Sequence, residues 1–239
     1  MSPGPADPSG HPPLFGEIKL IASTPHYVVI DKPAGLLSVP GLGPANQHSA
    51  ASWCRTTFPH ATGPVTVHRL DMHTSGLLLM ALDAAAHRHL SRQFEARTTS
   101  KSYIAIVDGS PTTDSGTINL PMRPDIDNRP RQIIDFIHGR PATTHYRVLD
   151  RLPLHTRLEL SPVTGRSHQL RVHCAHPAPA GLGCPIVGDS LYNPANLLSS
   201  KKLDVPNEKA PRLHLHAAVL DFDDPVSGLR IHCESPAPF

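Results

Sequence analysis

The residue types best suited to chemistry fall in three short segments. In Val67-His68-Arg69-Leu70-Asp71-Met72-His73-Thr74-Ser75-Gly76, a carboxylate stands among Arg, His, Thr, Ser and Gly just before an apolar run. A loop carboxylate at the mouth of a buried strand faces a cleft, where rigid scaffolds often carry catalytic groups. On composition alone the plainer reading is a surface turn closed by an Arg69–Asp71 ion pair. The second segment runs Thr164-Gly165-Arg166-Ser167-His168-Gln169-Leu170-Arg171-Val172-His173. Gly165 frees the backbone at a strand-to-helix turn. Arg166 and Arg171 are too far apart for one helix face, so they serve different partners: one a buried carboxylate, the other phosphate. The bland alternative is a basic helix start. The third segment, Thr99-Ser100-Lys101-Ser102-Tyr103-Ile104-Ala105, offers a ring to stack and a hydroxyl to trade a proton. Taken singly, a strand tyrosine is usually core.

Several elements must position these groups. Tyr27–Ile30 reads as a strand halted by Asp31-Lys32-Pro33-Ala34-Gly35, and Gln47–Phe58 as a short helix. Leu77–Leu82 is apolar throughout, as for a strand buried on both faces. Asp83 suits a helix N-cap, followed by the stripe Ala86, Leu90, Phe94, with Arg88 and Arg92 on a solvated face. Further strands are expected at Lys101–Val107, Thr143–Leu149, Arg157–Leu160, Leu213–Phe222 and Leu229–Cys233. Strands outnumber helices without regular alternation, which predicts an α+β fold with a mainly antiparallel, mixed β-sheet flanked by helices and loops. Gly41-Leu42-Gly43 is too short for a dinucleotide fingerprint, and no P-loop occurs.

Bulk composition excludes some classes. The 239 residues suit one large domain or two small ones. Residues 1–17 open with a proline-rich run that predicts a disordered tail, leaving 18–239 as the folded domain. No apolar run approaches the ~20 residues of a membrane span, and the N-terminus lacks a secretory layout. Cys54, Cys174, Cys184 and Cys233 are too few for a disulfide framework, so reduced thiols in a cytoplasm are expected. His173, Cys174, His176 and Cys184 lack the paired spacing of a metal site, and no metal is expected. Net charge is +2, from 22 Lys+Arg against 20 Asp+Glu, so any nucleic-acid contact must rest on local clusters.

Together the segments resemble the RluA-type pseudouridine synthase family. His68-Arg69-Leu70-Asp71-x-x-Thr74-Ser75-Gly76 is similar to its catalytic motif. Lys101-x-Tyr103-x-Ala105 and Gly165-Arg166-x-His168-Gln169-Leu170-Arg171-x-His173 match two further signatures in the same order. Asp31-Lys32-Pro33-Ala34-Gly35-Leu36-Leu37, Val187-Gly188-Asp189-x-Leu191-Tyr192 and Leu213-His214-Leu215-His216-Ala217 extend the likeness along the chain. The small RluA branch is the nearest. Pro121–Pro124, Asn128–Gln132 and Gly139–Ala142 are similar to its substrate-gripping loop and exit strand, and no room precedes Glu17 for a separate RNA-binding domain. Between Cys174 and Cys184 the chain departs from the family, with two prolines in a lengthened link.

The resemblance implies a single pseudouridine-synthase catalytic domain that flips a uridine out of RNA and isomerises it, without cofactor. Its RNA would be a transfer-RNA anticodon stem-loop, large-subunit ribosomal RNA, or both, with a monomer as the working form. Asp71 would be the nucleophile, attacking either the anomeric carbon or the uracil ring. Such a carboxylate needs a cation within about 4–6 Å to stay charged. Arg166 is the first candidate and Arg171 the alternative. Tyr103 would stack on uracil or pass a proton, and Arg69 would fill the gap left by the flipped base. His68, Thr74 and Arg171 are expected at the substrate, and Arg123, Arg129 and Arg131 on phosphates. The competing readings are an inactive RNA-binding module and a hydrolase using His68 and Asp71.

Overall fold

The computed structural model describes residues 17–194 and 212–239. The tail expected at the N-terminus therefore lies almost wholly outside the described residues. The most buried element is Ser75–Ala81 (β3), whose seven residues are all buried, as its unbroken apolar run predicts. Its two faces are covered by different helices. Leu78 and Met80 join Val28 and Ile30 of Tyr27–Lys32 (β2) beneath Ala50–Thr57 (α1). Leu77 and Leu79 join Tyr27 and Val29 beneath Ala84–Ala96 (α2), through Ala86 and Leu90. Each such aliphatic side chain contributes about 1.5–3 kcal/mol by leaving water.

Lys19–Ser23 (β1) pairs with β2 at the sheet edge. The other strands are Ser100–Asp108 (β4), Ser115–Asn119 (β5), Met122–Pro124 (β6), Gln132–Ile134 (β7), Thr143–Arg151 (β8), His155–Pro162 (β9), Leu215–Asp223 (β10) and Arg230–Glu234 (β11). One nine-stranded sheet runs β1-β2-β3-β10-β4-β9-β8-β5, with β11 also on β10, and β6–β7 form a separate hairpin. Among these strands every pairing is antiparallel except β3 with β10, so the sheet is mixed as expected. Gln169–Ala175 (α3) covers the β4-β9-β8 half, packing Leu170 and Cys174 with Ala105, Val107, Leu158 and Leu160.

The parallel seam between the halves is tight. Gly76 has φ 110°, and a Cβ there would stand 2.3 Å from the Ala217 carbonyl oxygen. Only glycine permits both the conformation and the approach. Local signals explain the helix boundaries. Ser49 and Ser52 form a reciprocal capping box, so α1 begins later than Gln47, after a 3-10 turn at Pro44–Asn46. The short strands β5, β6 and β7 carry no periodic signal and were not expected from sequence.

Asp83 caps α2 as predicted, its Oδ1 accepting from the Ala85 and Ala86 amides at 2.9 and 2.8 Å. Those bonds, with His26, lower its pKa. A depressed carboxylate stabilises fully above its unfolded pKa and loses that contribution as pH falls through the folded value. Asp83→Ala should cost about 1 kcal/mol at pH 7 by denaturant unfolding. The gap should shrink at about pH 3, below the ordinary aspartate pKa. An undiminished gap would show that the charge adds nothing to the cap.

Candidate active site

Asp71 sits in the loop that enters β3, and the backbone on both sides of it is pinned. Ser38 Oγ donates to the Leu70 carbonyl at 2.7 Å and accepts the Leu70 amide at 3.0 Å. The Thr74 amide donates to the Asp71 carbonyl at 3.1 Å. Beneath the loop lies Lys32, fully buried, whose Nζ donates to the carbonyls of Pro33, Leu36 and Met72 at 3.1, 2.8 and 3.1 Å. Three donors meet three acceptors. Burial pulls the Lys32 pKa down to about 7, against the opposing charges of Asp71 and Asp31.

The cation facing Asp71 is Arg171, which corrects the first choice of Arg166. Arg171 NH1 stands 3.7 Å from Asp71 Oδ2, while its Nε and NH2 grip Asp189 at 2.8 Å each. The fork thus serves two carboxylates at once, a geometry lysine lacks. Arg171 and Asp189 are almost wholly buried. Burial disfavours the guanidinium charge, but the bonds and charge of Asp189, with Asp71, outweigh it and raise the pKa. Arg166 instead turns its Nε to the Pro141 carbonyl at 3.2 Å. The reason is positional: Arg171 projects from α3, whereas Arg166 precedes it in a turn held by Gln169. Gln169 Oε1 accepts from Thr164 Oγ1 and the Arg166 amide, and its Nε2 donates to the Thr143 carbonyl of β8.

Asp189 Oδ1 also accepts the Leu191 and Tyr192 amides. The Tyr192 ring lies 5.2 Å below the Arg171 guanidinium, and its hydroxyl meets His168 Nδ1 at 2.8 Å. His168 Nε2 is 3.9 Å from Asp71 Oδ2. Asp189 and Tyr192 were in a matched stretch without a role. The signal for them was that a buried arginine requires a carboxylate.

Tyr103, half-buried on β4, packs against the apolar clusters of both halves of the sheet. Burial and then the Asp71 charge raise its pKa well above the ordinary value, so it is a neutral phenol at pH 7. Behind the loop, Arg212 NH2 donates to Ser75 Oγ at 2.6 Å, and Ser75 Oγ meets His216 Nδ1 at 2.8 Å. His216 Nε2 faces the Ser235 carbonyl at 3.1 Å, so Nε2 carries the proton and Nδ1 accepts from Ser75. Ser235 Oγ continues the chain to Asp31 Oδ2 at 2.8 Å.

The other expected site residues divide. Arg69 is exposed at the rim of a cleft of about 1060 Å³ that Asp71, Thr74, Tyr103 and Arg171 also line. His68 is occupied by the fold: its Nε2 accepts the Leu79 amide at 3.0 Å and its ring stacks on Phe94 at 4.4 Å. Burial holds its pKa down to about 3, so it is neutral and positions the loop. Arg123 Nε binds Asp135 at 2.5 Å, and Arg131 NH2 bonds the Leu191 carbonyl. Arg129 is exposed. Of the suspected metal ligands, His173 meets Thr144 Oγ1 at 3.0 Å, while Cys174 and Cys184 belong to the apolar core.

An α+β domain with a buried-cation carboxylate cleft at a parallel seam is the setting in which the comparisons fall. Residues 26–176 match the RNA pseudouridylate synthase family. The chain is 43% identical over 231 residues to the dual-specificity RNA pseudouridine synthase RluA of Pasteurella multocida, covering 95% of this chain and 97% of that one. The Escherichia coli protein of the same name is 39% identical, over 96% and 97%. The solved human RNA pseudouridylate synthase domain containing 1 superposes with a TM-score of 0.71 at 27% identity, over 93% of this chain and 84% of that one. The chain belongs to the RNA pseudouridylate synthase family. It is an isomerase that makes pseudouridine in RNA.

Removing one partner of a buried ion pair strands the other. Asp189→Ala should therefore cost about 3–5 kcal/mol in denaturant unfolding. A loss below about 1 kcal/mol would show that Arg171 does not depend on this carboxylate.

Proposed function

We propose that Asp71 is the nucleophile of this isomerisation and Arg171 the cation that steadies its charge. The observation that carries the reading is the 3.7 Å approach of Arg171 NH1 to Asp71 Oδ2, with the rest of the guanidinium spent on Asp189. At that separation two unit charges attract by about 4 kcal/mol at an effective dielectric of ~20. The target uridine leaves its stack to reach the cleft, at a cost of a few kcal/mol. Asp71 attacks the anomeric carbon or the uracil ring, the glycosidic C–N bond breaks, the base turns, and its C5 bonds to the sugar. The bond to Asp71 breaks, C5 gives up its proton, and N1, freed from the sugar, takes one up. Tyr103 stacks on the uracil as a neutral phenol, and Thr74 closes the turn that presents Asp71. Exposed Arg69 fills the space vacated by the base, since a guanidinium both stacks and binds phosphate.

The RNA is a transfer-RNA anticodon stem-loop, large-subunit ribosomal RNA, or both; the dual-specificity names of the relatives support this range. The catalytic domain itself grips the RNA. One chain carries the full set of groups, which favours a monomer. Four buried free thiols suit the reducing cytoplasm.

Asp71→Asn keeps size and hydrogen-bonding reach but removes the nucleophilic charge. The variant should bind transfer-RNA transcript about as well as wild type and release no tritium from C5-labelled uridine. Residual turnover within about tenfold of wild type would overturn the assignment.

Among the gripping arginines, Arg129 is the phosphate contact, because Arg123 and Arg131 hold protein groups. Arg129→Ala should weaken RNA binding and flatten the slope of log K against log salt by roughly 0.7–0.9. Arg123→Ala should instead lower stability with little change in slope. Equal slopes for wild type and Arg129→Ala would remove Arg129 from the interface.

A further inference from the structure

Two cations lining the cleft have no part in the scheme above. Lys101, near the start of β4, lines the cleft half-buried with its Nζ 5.7 Å from the Phe94 ring centroid. Among the described residues no carboxylate pairs with it. Burial lowers its pKa, and the neighbouring charge of Arg97 lowers it further. A partly desolvated ammonium beside a second cation, with no counter-charge, is an unfavourable arrangement in the free protein. It becomes favourable when an anion enters.

Arg97 ends α2 with φ 60° and ψ 34°, in the left-handed region. Glycine takes that conformation at a helix end without strain, whereas a Cβ is crowded there. Among the described residues other than glycine, only Arg97 and His168 have positive φ, and both line this cleft. Strained backbone held at a ligand-facing position points to use of the side chain.

Gly165 supplies the space. Its φ lies outside the positive range, so the backbone there does not demand glycine. Within 4 Å, a Cβ at Gly165 would meet only Lys101 Nζ, at 4.0 Å. A larger side chain would take up space beside the ammonium. Glycine therefore keeps a niche open in front of Lys101.

We propose that Arg97 and Lys101 bind one backbone phosphate of the RNA substrate, in a niche that Gly165 keeps open. The proposal rests on the reading that this cleft receives RNA. A planar guanidinium and a point ammonium together suit a phosphodiester, which accepts charge-assisted bonds from both. Anchoring one phosphate on this wall fixes how far the strand reaches past Asp71.

The test uses a synthetic anticodon stem-loop from whose C5-labelled uridine the wild-type enzyme releases tritium. Single neutral methylphosphonate linkages are introduced one position at a time. Affinity is measured for wild type, Arg97→Gly, Lys101→Met and Gly165→Val. One linkage should weaken wild-type binding by about tenfold and leave Lys101→Met, already weakened, unchanged, the non-additivity of a direct contact. Arg97→Gly should melt at or above the wild-type temperature yet bind more weakly, which loss of structure would not produce. Gly165→Val should lose affinity with both cations present. Linkage effects that add to Lys101→Met at every position, or Arg97→Gly binding as tightly as wild type, would overturn the niche. In that case Asp71→Asn remaining inactive would leave the catalytic reading intact. A wild type that releases no tritium from any stem-loop or transcript would overturn both.

Discussion

A guanidinium that is almost wholly buried must be surrounded by negative charge and acceptors, and Arg171 meets this demand with two carboxylates. Asp189 takes two of its nitrogens and is itself held by the Leu191 and Tyr192 amides. The third nitrogen is left for Asp71. The desolvation cost of so buried a charge is several kcal/mol, offset only by good geometry. That geometry joins three stretches remote in sequence: the loop before β3, the helix α3 and the turn at Asp189. The proposed nucleophile is thus presented to a charge whose position is already fixed by a second carboxylate. Charges fixed in advance in this way are how preorganised electrostatics assist catalysis.

The sheet provides the stiffness behind this arrangement. Leaving the Asp71 loop, the chain enters a strand buried on both faces and locked to β10 through Gly76. The chain Arg212–Ser75–His216–Ser235–Asp31 ties the same point to β2 and to the residues after β11. Burial lowers the His216 pKa, which keeps the ring neutral and its two bonds directional. Lys32 adds a third tether to the loop through the Met72 carbonyl. Several polar groups that could be mistaken for catalytic ones are therefore structural, each satisfied by the backbone or by another buried group. His68 is the clearest case, since its one acceptor nitrogen is used by Leu79.

The cleft walls show how a nearly neutral protein can present positive charge. The net charge is only +2, yet Arg69, Arg97, Lys101 and Arg166 all line one opening. Clustering, not total charge, sets the local field. Some arginines elsewhere are paired with carboxylates, as Arg123 is with Asp135 and Arg147 with Glu159. The free protein thus separates cations that build the fold from those that line the cleft.

Local sequence determined a large part of this protein. The strand β4, the unbroken apolar run of β3 and the Asp83 cap follow from short stretches of sequence, and each appears within a few residues of its expected place. The segments holding Asp71, Tyr103 and Arg171 were legible because residue type and order along the chain identify them. Three-residue strands such as β6 and β7 were not, since so short a run has no period to read. Which arginine would face Asp71 was also beyond local reading. Arg166 and Arg171 are alike as residues; what separates them is the direction in which α3 projects and the carboxylate the Asp189 turn brings beneath it. Likewise, His68 and Thr74 flank Asp71 in sequence, but only the packing of β3 and α2 turned His68 inward to Leu79 and Phe94. Chemistry is written in residue types, whereas pairing depends on contacts between distant segments, and only the folded chain sets those distances.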